Sequence, residues 1–287
     1  MAGFGLVLLA SAALAADAPP PRKRAEVEAI LKQAPKLTEP LKPLHVLLVA
    51  GPKDHGPGEH DYPAWQKQWA PLLAKAPNVK VSTAFPWPKP EQWEGVDLVV
   101  FYLKTKWDAG QVAEVQKHQD RGGGVVTLHW AIGCDQEWDR HADCFGLSYK
   151  SASYRHGHVE LKIAMPAHPV ALGLPASMAF VDEPYWPFIG DPSRVRVLAT
   201  SDEQIYRGDD RRKNPGDETV KTVPVFWTYE RPGSPGRVFV SIFGHYMWTF
   251  DDPYFRLLVL RGMAWAARDQ TYRWDALATE GVALGEP

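Results

Sequence analysis

Continuous apolar runs alternate with helical patterns in the first half of the 287-residue chain. Four runs are bounded by Pro, Gly or charged residues, as expected of buried parallel strands: 44–50, 79–85, 97–104 and 124–129. A helix follows the first run, with Asp61 as its expected N-cap and apolar side chains at helical spacing from 62 to 76. A second helix is predicted over 108–121, where Asp108 and Gln111 form a capping box. This alternation predicts a doubly wound, mostly parallel α/β sheet flanked by helices.

The second half of the chain carries shorter apolar runs and one long helical pattern. The runs predict strands over 158–163, 177–182, 194–200, 223–229 and 237–245. The closing helix, over 251–268, has Asp252 as its cap and Pro253 at its first position. The charged stretch 207–221 is predicted to be a solvated surface loop.

The two ends of the chain differ from its body in composition. Residues 1–15 contain a short apolar run that ends in Ala13-Leu14-Ala15, the pattern of a cleaved secretory signal peptide. We therefore expect export to the periplasm or out of the cell. The remainder divides into a Pro-rich linker that could include a short helix, one α/β domain and a C-terminal tail: 16–43, 44–269 and 270–287.

The overall charge narrows the range of partners. A formal net charge of −2 and a pI near 6.6 give no electrostatic footprint for nucleic acid or anionic lipid. No segment after the signal sequence is long and apolar enough to span a membrane. The 12 tryptophans allow two interpretations: a Trp-rich core, or a cleft whose aromatic faces stack on sugar rings. Under the second interpretation the partner would be a small-molecule carbohydrate.

The two cysteines, Cys134 and Cys144, lie ten residues apart. In an exported protein such a pair predicts a disulfide that closes a short loop. The alternative is two buried thiols, since the distance between the Cα atoms cannot be read from the sequence. We favour the disulfide.

Histidines are concentrated at the ends of predicted strands and in the adjoining loops. In α/β sheets ligands bind beyond the carboxyl ends of the strands, so these are the positions where chemistry is expected. His129 and His245 each end a strand, and Glu183 directly follows another. The full candidate set is His55, His60, His129, His156, His158, Glu183 and His245.

Imidazoles grouped with one carboxylate suit two kinds of chemistry. They can bind Zn²⁺ or a similar divalent ion, for which His129, His245 and Glu183 are the expected ligands. They can also act as general acid and base without a metal. The sequence contains no HExxH or CxxC motif that would favour the metal by spacing alone.

Several common catalytic motifs are missing from the sequence. There is no P-loop, and the GGG at 122–124 precedes its strand, so it cannot cradle a dinucleotide phosphate in the usual way. A GxSxG nucleophile elbow is also missing, which argues against an ordinary α/β-hydrolase.

Four segments of the chain resemble the trehalose-utilisation (ThuA-like) family of the class I glutamine amidotransferase-like superfamily. They are HVLLVAGPKDHGPGEHDYP, RGGGVVTLHWA, AHPVALGL followed by FVDEPYW, and RVFVSIFGHYMWTFDDPYFRLLVLRGMAWAA. The resemblance covers roughly 44–269 and implies a flavodoxin-like, amidotransferase-like fold. His245 matches the Gly-His of the family, and Glu183 matches its Asp-Glu.

The resemblance also implies what the protein does not do. Amidotransferases of this superfamily carry a nucleophilic Cys at the strand–helix elbow, where this chain has His129. Cys134 lies five residues further on and is misplaced for that role. Glutaminase activity is therefore not expected. The family is associated with trehalose and other glycosides, some of which are oxidised at C3 before the glycosidic bond is cleaved.

Three hypotheses about the function follow. The first is an exported enzyme that hydrolyses a glycoside, or cleaves an oxidised (3-keto) sugar by elimination, with His129, Glu183 and His245 as catalytic or metal-binding groups. The second is a carbohydrate-binding or scaffold protein that kept the fold without the nucleophile. The third is a purely structural histidine cluster. For the first two, the predicted substrate-binding residues are His55, His60, Trp130, His156, His158, Tyr185, Trp186 and Trp248.

Overall fold

A computed structural model describes residues 18–205 and 219–286. Five parallel strands form one half of a nine-stranded sheet. Their spatial order is β2 (Val79–Ala84), β1 (Leu44–Ala50), β3 (Leu98–Tyr102), β4 (Gly124–Leu128) and β11 (Arg237–Ser241). Strands β3 and β4 are buried along their whole length, because helices cover both faces of a sheet of this type. The predicted α/β sheet is confirmed.

Three helices predicted from the sequence flank these strands. They are α2 (Tyr62–Leu73), α3 (Ala109–Asp120) and α5 (Pro253–Ala266). Each begins at a cap that the sequence indicates: Asp61 accepts a hydrogen bond from the Ala64 amide at 3.2 Å, Asp108 and Gln111 form the capping box, and Asp252 accepts from the Tyr254 amide. The caps satisfy amide groups that would otherwise lack partners at the helix ends.

The other four strands of the sheet are antiparallel, which the hydrophobic pattern did not predict. They continue from β11 in the order β10 (Thr219–Glu230), β9 (Arg196–Ile205), β6 (Gly157–Ile163) and β7 (Ser177–Asp182). Although β7 lies four positions from β11, Glu183 directly after β7 contacts His245 beyond β11. The antiparallel strands therefore curve back toward the carboxyl ends of the parallel strands.

A smaller unit lies beside the main sheet. It consists of α4 (Trp138–Phe145) and a two-stranded antiparallel sheet of β5 (Ser148–Tyr154) and β8 (Tyr185–Ile189). None of these three elements was predicted from the sequence. The unit matters for the site, because Tyr185 begins β8 and the loop after β5 carries His156.

The segments predicted as linker and tail pack against the domain. Helix α1 (Arg24–Leu31) lies within the predicted linker, and its Val27 and Ile30 are buried. In the predicted tail, Asp275 forms a buried ion pair with Arg261 of α5 at 2.8 Å. Lys23 and Gly285 form an isolated parallel bridge that joins the two segments. Burial of these groups makes both segments part of the folded domain.

Two predicted segments fall wholly or mainly outside the described residues. The predicted signal peptide, 1–15, is one of them. Of the predicted charged loop 207–221, only 219–221 is described, and it belongs to β10. Within the described ranges, no helix combines the length and the apolar character needed to cross a membrane.

The predicted disulfide is not present in the structure, where Cys134 and Cys144 are both free and buried. Helix α4 occupies most of the chain between them, and Cys144 faces α3, with its Sγ 3.4 Å from Gln119 Oε1. Cys134 Sγ contacts the carbonyl oxygen of Gln136 instead. Burial raises the pKa of the Cys134 thiol to about 11, so both geometry and protonation disfavour the bond.

Candidate functional site

His129 occupies the elbow that follows strand β4. Its backbone has a φ of +54°, a left-handed conformation that is uncommon for a residue with a side chain and recurs at functional sites. The ring is fully buried, and Nδ1 lies 2.7 Å from the carbonyl oxygen of Ile242. A carbonyl only accepts, so Nδ1 is the donor, and in a neutral ring Nε2 would carry a lone pair.

His245 follows β11 and lies next to His129. Gly244 makes this approach feasible: its φ is +130°, and a Cβ atom there would lie 3.3 Å from the Cβ of His129. The His245 ring is buried, and its Nδ1 lies 2.9 Å from Glu183 Oε2. Within the described part of the chain, neither ring nitrogen makes a hydrogen bond of acceptable geometry. Ring nitrogens in this state could bind a ligand or an ion.

Glu183 joins the imidazoles through both of its oxygens. Oε2 lies 3.2 Å from His129 Nε2, 2.9 Å from His245 Nδ1 and 3.1 Å from the Tyr185 hydroxyl. Oε1 lies 3.0 Å from His156 Nε2. Burial raises the pKa of Glu183, but the contacts with His129, His156 and His245 outweigh burial and hold it well below its usual range. Glu183 is therefore a carboxylate, which suits it as a ligand.

His60 completes the cluster from the loop between β1 and α2. Its Nδ1 lies 2.9 Å from Asp54 Oδ1, and its Nε2 lies 2.8 Å from His129 Nε2. The backbone amide of His60 also donates to the carbonyl oxygen of His245 at 2.9 Å. Burial lowers the pKa of His60 to about 3, so the ring is neutral near pH 7. The sequence placed His60 among the substrate-binding residues, whereas the structure places it among the potential ligands.

Four side chains thus form one buried group that could hold a metal ion, hereafter the His/Glu cluster. One potential ligand atom from each lies within 4.8 Å of the others: His60, His129, Glu183 and His245. Neutral imidazoles with a carboxylate are the ligands that Zn²⁺ and similar divalent ions prefer. The sequence predicted three of the four.

Asp182 supports the cluster, and the sequence analysis missed it. Its buried carboxylate accepts hydrogen bonds from the amides of Glu183 and His245, at 2.8 and 3.0 Å, and from the Gly244 amide. It also accepts from the Thr249 hydroxyl at 2.6 Å. These contacts fix the backbone of two cluster residues at once. The only signal in the sequence is that an acid precedes Glu183 at the end of an apolar strand.

His156 lies where the cluster meets solvent. Its side chain is 42% exposed, whereas those of His129 and Glu183 are 0% and 5% exposed. Its Nδ1 lies 3.2 Å from the Tyr246 hydroxyl. The hydrogen bond to Glu183 raises the pKa of His156. A ligand that approaches Glu183 along this exposed side meets His156 first.

The other two predicted histidines differ in their relation to the cluster. His55 lies beside it, with Nδ1 2.9 Å from Asp54 Oδ1 and its ring 3.8 Å from that of His60. His158 lies in β6 with its side chain exposed, and it takes no part in the cluster.

The four predicted sugar-lining aromatics separate into two pairs. Tyr185 and Trp186 are buried, at 0% and 4% exposure, so they offer no open face to a sugar. The Tyr185 hydroxyl instead lies 2.7 Å from His129 Nε2, while its ring stacks on Tyr149. Trp130 and Trp248 are partly exposed and remain candidates for sugar stacking.

Comparisons with known proteins point to one family. The sequence profile of the family described as ThuA, trehalose utilisation, matches residues 46–266. No curated protein matches the chain significantly. A ThuA-like protein from Bacteroides uniformis ATCC 8492 has a similar solved structure, with a TM-score of 0.60, 15% identity, and coverage of 83% of this chain and 98% of that one. The structure of a ThuA-like protein from Parabacteroides merdae ATCC 43184 has a TM-score of 0.54 and 21% identity, and the match covers 78% of this chain and 90% of that one. The chain therefore belongs to the ThuA family.

Proposed function

We propose that the protein is a carbohydrate-processing enzyme whose His/Glu cluster binds one divalent metal ion, with Zn²⁺ fitting the ligand set best. Its proposed reaction is hydrolysis of a glycoside, or elimination on an oxidised (3-keto) sugar. The observation that carries the metal site is the convergence of hydrogen-bond acceptors inside the cluster. The family description, trehalose utilisation, supports a sugar substrate.

The acceptors converge because both protonated nitrogens point away from the centre. His129 Nδ1 faces the carbonyl oxygen of Ile242, and His60 Nδ1 faces Asp54. When both rings are neutral, the two Nε2 atoms each carry a lone pair and meet at 2.8 Å, and Glu183 Oε2 lies 3.2 Å from His129 Nε2. The Tyr185 hydroxyl has one proton and can satisfy only one of these acceptors. A bound cation would satisfy all of them.

The ligand set fits a divalent metal chemically. His60, His129, Glu183 and His245 would hold the ion, and the orphaned ring nitrogens of His245 would gain a partner. A bound ion would supply a Lewis acid that polarises a carbonyl oxygen or lowers the pKa of water. The chain itself would supply the positioning, because Asp182 fixes the backbone of Glu183 and His245 and both side chains are buried.

Substrate contact is proposed at the exposed side of the cluster. His156 touches Glu183 there and can hold or exchange a proton with a ligand at its Nε2 atom. Trp130 and Trp248 are partly exposed and could each pack against a sugar ring. These residues would bind and orient the substrate while the buried cluster acts on the group that reaches it.

A non-catalytic carbohydrate-binding or scaffold protein is the second candidate. The observation that favours it is His129 at the elbow, because the residue that replaces the nucleophile lies in a fully buried site. In that case a shared proton rather than a metal would join the two imidazoles. Such a protein would bind sugar without turnover and would be insensitive to chelators.

One experiment separates the two candidates. Tag-free protein is analysed for bound metals and assayed against glycosides and 3-keto-glycosides, with and without EDTA. The enzyme hypothesis predicts about one divalent ion per chain and turnover that EDTA abolishes and Zn²⁺ restores. Sugar binding with neither metal nor turnover would favour the binding protein.

We also propose export, on the signal-like pattern of residues 1–15. The test is expression of the full sequence in a bacterial host, followed by fractionation and N-terminal sequencing. Mature protein in the periplasm or medium, beginning at Ala16, is the expected result. Uncleaved protein in the cytoplasm would contradict it.

A further inference from the structure

We infer that Asp54 is a positioning residue, which keeps the proton of His60 on Nδ1 and so leaves Nε2 free to bind a cation in the His/Glu cluster. The inference deepens the proposed function and rests on the metal site described there. Asp54 lies within the first segment that resembles the ThuA family, but no role was matched to it there, and its side chain contacts only one member of the cluster.

The contact between Asp54 and His60 determines which ring nitrogen is protonated. Asp54 Oδ1 lies 2.9 Å from His60 Nδ1, and a carboxylate can only accept a hydrogen bond. The Nδ1 atom must therefore be the donor. The opposite nitrogen, Nε2, then presents its lone pair to His129 Nε2 at 2.8 Å. A carboxylate behind a metal-binding histidine fixes the ring in the orientation and tautomer that the metal requires.

The loop that carries Asp54 is held in place from several sides. Lys53 donates to the carbonyl oxygens of Gly56 and Glu59 within the loop. The Met247 amide donates to the carbonyl oxygen of Gly58 at 2.8 Å, which attaches the loop to the segment after β11. His60 itself has a φ of +40°, a strained conformation that persists only where its surroundings enforce it. The loop is thus built to hold Asp54 and His60 together.

A second cation bound by Asp54, His55 and His60 is the main alternative, since potential ligand atoms of these three also lie within 4.8 Å of one another. Two observations argue against it. The Lys104 ammonium lies 3.5 Å from Asp54 Oδ2 and would repel a cation there. His60 can offer Nδ1 to a second ion only by losing the proton that its hydrogen bond to Asp54 requires. Asp54 therefore acts through His60.

The test compares Asp54→Ala and Asp54→Asn with the native chain. Nitrogen NMR of the metal-free protein reads the His60 tautomer directly, and competition with a chromophoric chelator gives the Zn²⁺ affinity. We expect Nδ1–H at His60 in the native chain and a shift toward Nε2–H in Asp54→Ala. Zn²⁺ affinity should fall about 10- to 100-fold. Asp54→Asn, whose amide oxygen still accepts, should retain the native tautomer and lose less affinity.

Asp61→Asn is the matched control, because Asp61 follows His60 in sequence and its side chain caps α2 and pairs with Lys53 without contacting a cluster side chain. It should leave both readouts unchanged, while thermal melts confirm that every variant folds. An unchanged tautomer and unchanged Zn²⁺ affinity in Asp54→Ala would overturn the inference. If the native chain binds no Zn²⁺, the proposed metal site fails, and the tautomer alone still decides the role of Asp54.

Discussion

Glu183 and His245 meet at 2.9 Å, although the strands they follow, β7 and β11, lie four positions apart in the sheet. Glu183 comes from the antiparallel half and His245 from the parallel half. Asp182 accepts hydrogen bonds from the amides of both residues, so one buried carboxylate holds the junction. The site is therefore built where the two halves of the sheet meet.

Replacing Glu183 tests its role as a ligand. Glu183→Gln keeps the size of the side chain but removes the charge that faces His129 and His245. Because loss of an outer partner of a metal ligand already costs 10- to 100-fold in affinity, we expect a fall of at least about 100-fold in Zn²⁺ affinity, with loss of turnover. Glu59→Gln, 3.9 Å from His245 Nε2, should have a much smaller effect. Native metal affinity in Glu183→Gln would contradict its assignment as a ligand.

Replacing Asp182 tests the junction itself. Asp182→Asn puts an NH₂ group where the carboxylate accepts from the Gly244 and His245 amides and from the Thr249 hydroxyl. Hydrogen bonds to a buried charge are worth about 1.5–3 kcal/mol each, so the free energy of unfolding should fall by about 3 kcal/mol or more. Urea denaturation measures the change. Asp191→Asn, at an exposed turn, should change it by less than about 0.5 kcal/mol.

The cysteines give a test of the fold. Both thiols are free and buried, and burial raises the pKa of Cys134 to about 11. Without reductant, Ellman's reagent should therefore react slowly with the native protein and detect two thiols after denaturation. Intact mass should show no loss of two hydrogens. A disulfide in freshly purified protein would show that Cys134 and Cys144 approach more closely than the structure allows.

His141 gives a test of pH dependence remote from the cluster. Both of its ring nitrogens are buried without a hydrogen-bond partner in the described chain, and burial lowers its pKa from about 6.5 to about 3. Between these two pH values the unfolded state binds more protons, so His141 makes the protein less stable as the pH falls below about 6.5. His141→Phe should remove this loss and, at pH 7, stabilise by about 1 kcal/mol.

Urea melts from pH 7.5 to pH 4.5 measure the effect. The stability advantage of His141→Phe should grow by about 1.4 kcal/mol per pH unit below about 6. His158→Phe, the same substitution at an exposed position in β6, is the matched control, and the two variants are compared over the same pH range. Equal pH dependence of His141→Phe and the native chain would mean that His141 is solvated or protonated in the folded state.

The parallel half of the sheet could be predicted because its strands are local apolar runs between clear turn signals. The pattern also predicted that His129 and His245 lie at the same edge of the sheet, since strand ends of one parallel sheet share an edge. His245 itself lies four residues beyond the end of β11 at Ser241 and not at the strand end that was predicted. Helix caps such as Asp61 and Asp108 are also local signals. These features depend on residues that are close in sequence.

The rest of the site depends on distant contacts that no local pattern encodes. Tyr185 was predicted to line a sugar site, but β8 pairs with β5 and stacks its ring on Tyr149 in the interior. Asp182 and Asp54 act by hydrogen bonds to backbone and imidazole groups. Their roles emerge only when the antiparallel strands and the loop before α2 are in place. The prediction of a Cys134–Cys144 disulfide was wrong for the same reason, because a spacing of ten residues does not reveal that a helix lies between the two cysteines.

The most direct test of the central claim is the metal content of tag-free protein, measured by mass spectrometry for the native chain and for His245→Ala. His245 is chosen because both of its buried ring nitrogens lack a hydrogen-bond partner in the described chain. We predict about one divalent ion per native chain, and loss of that ion in a variant that still folds by circular dichroism. A native protein that turns over sugar without any bound metal, or a variant that keeps its ion, would contradict the account.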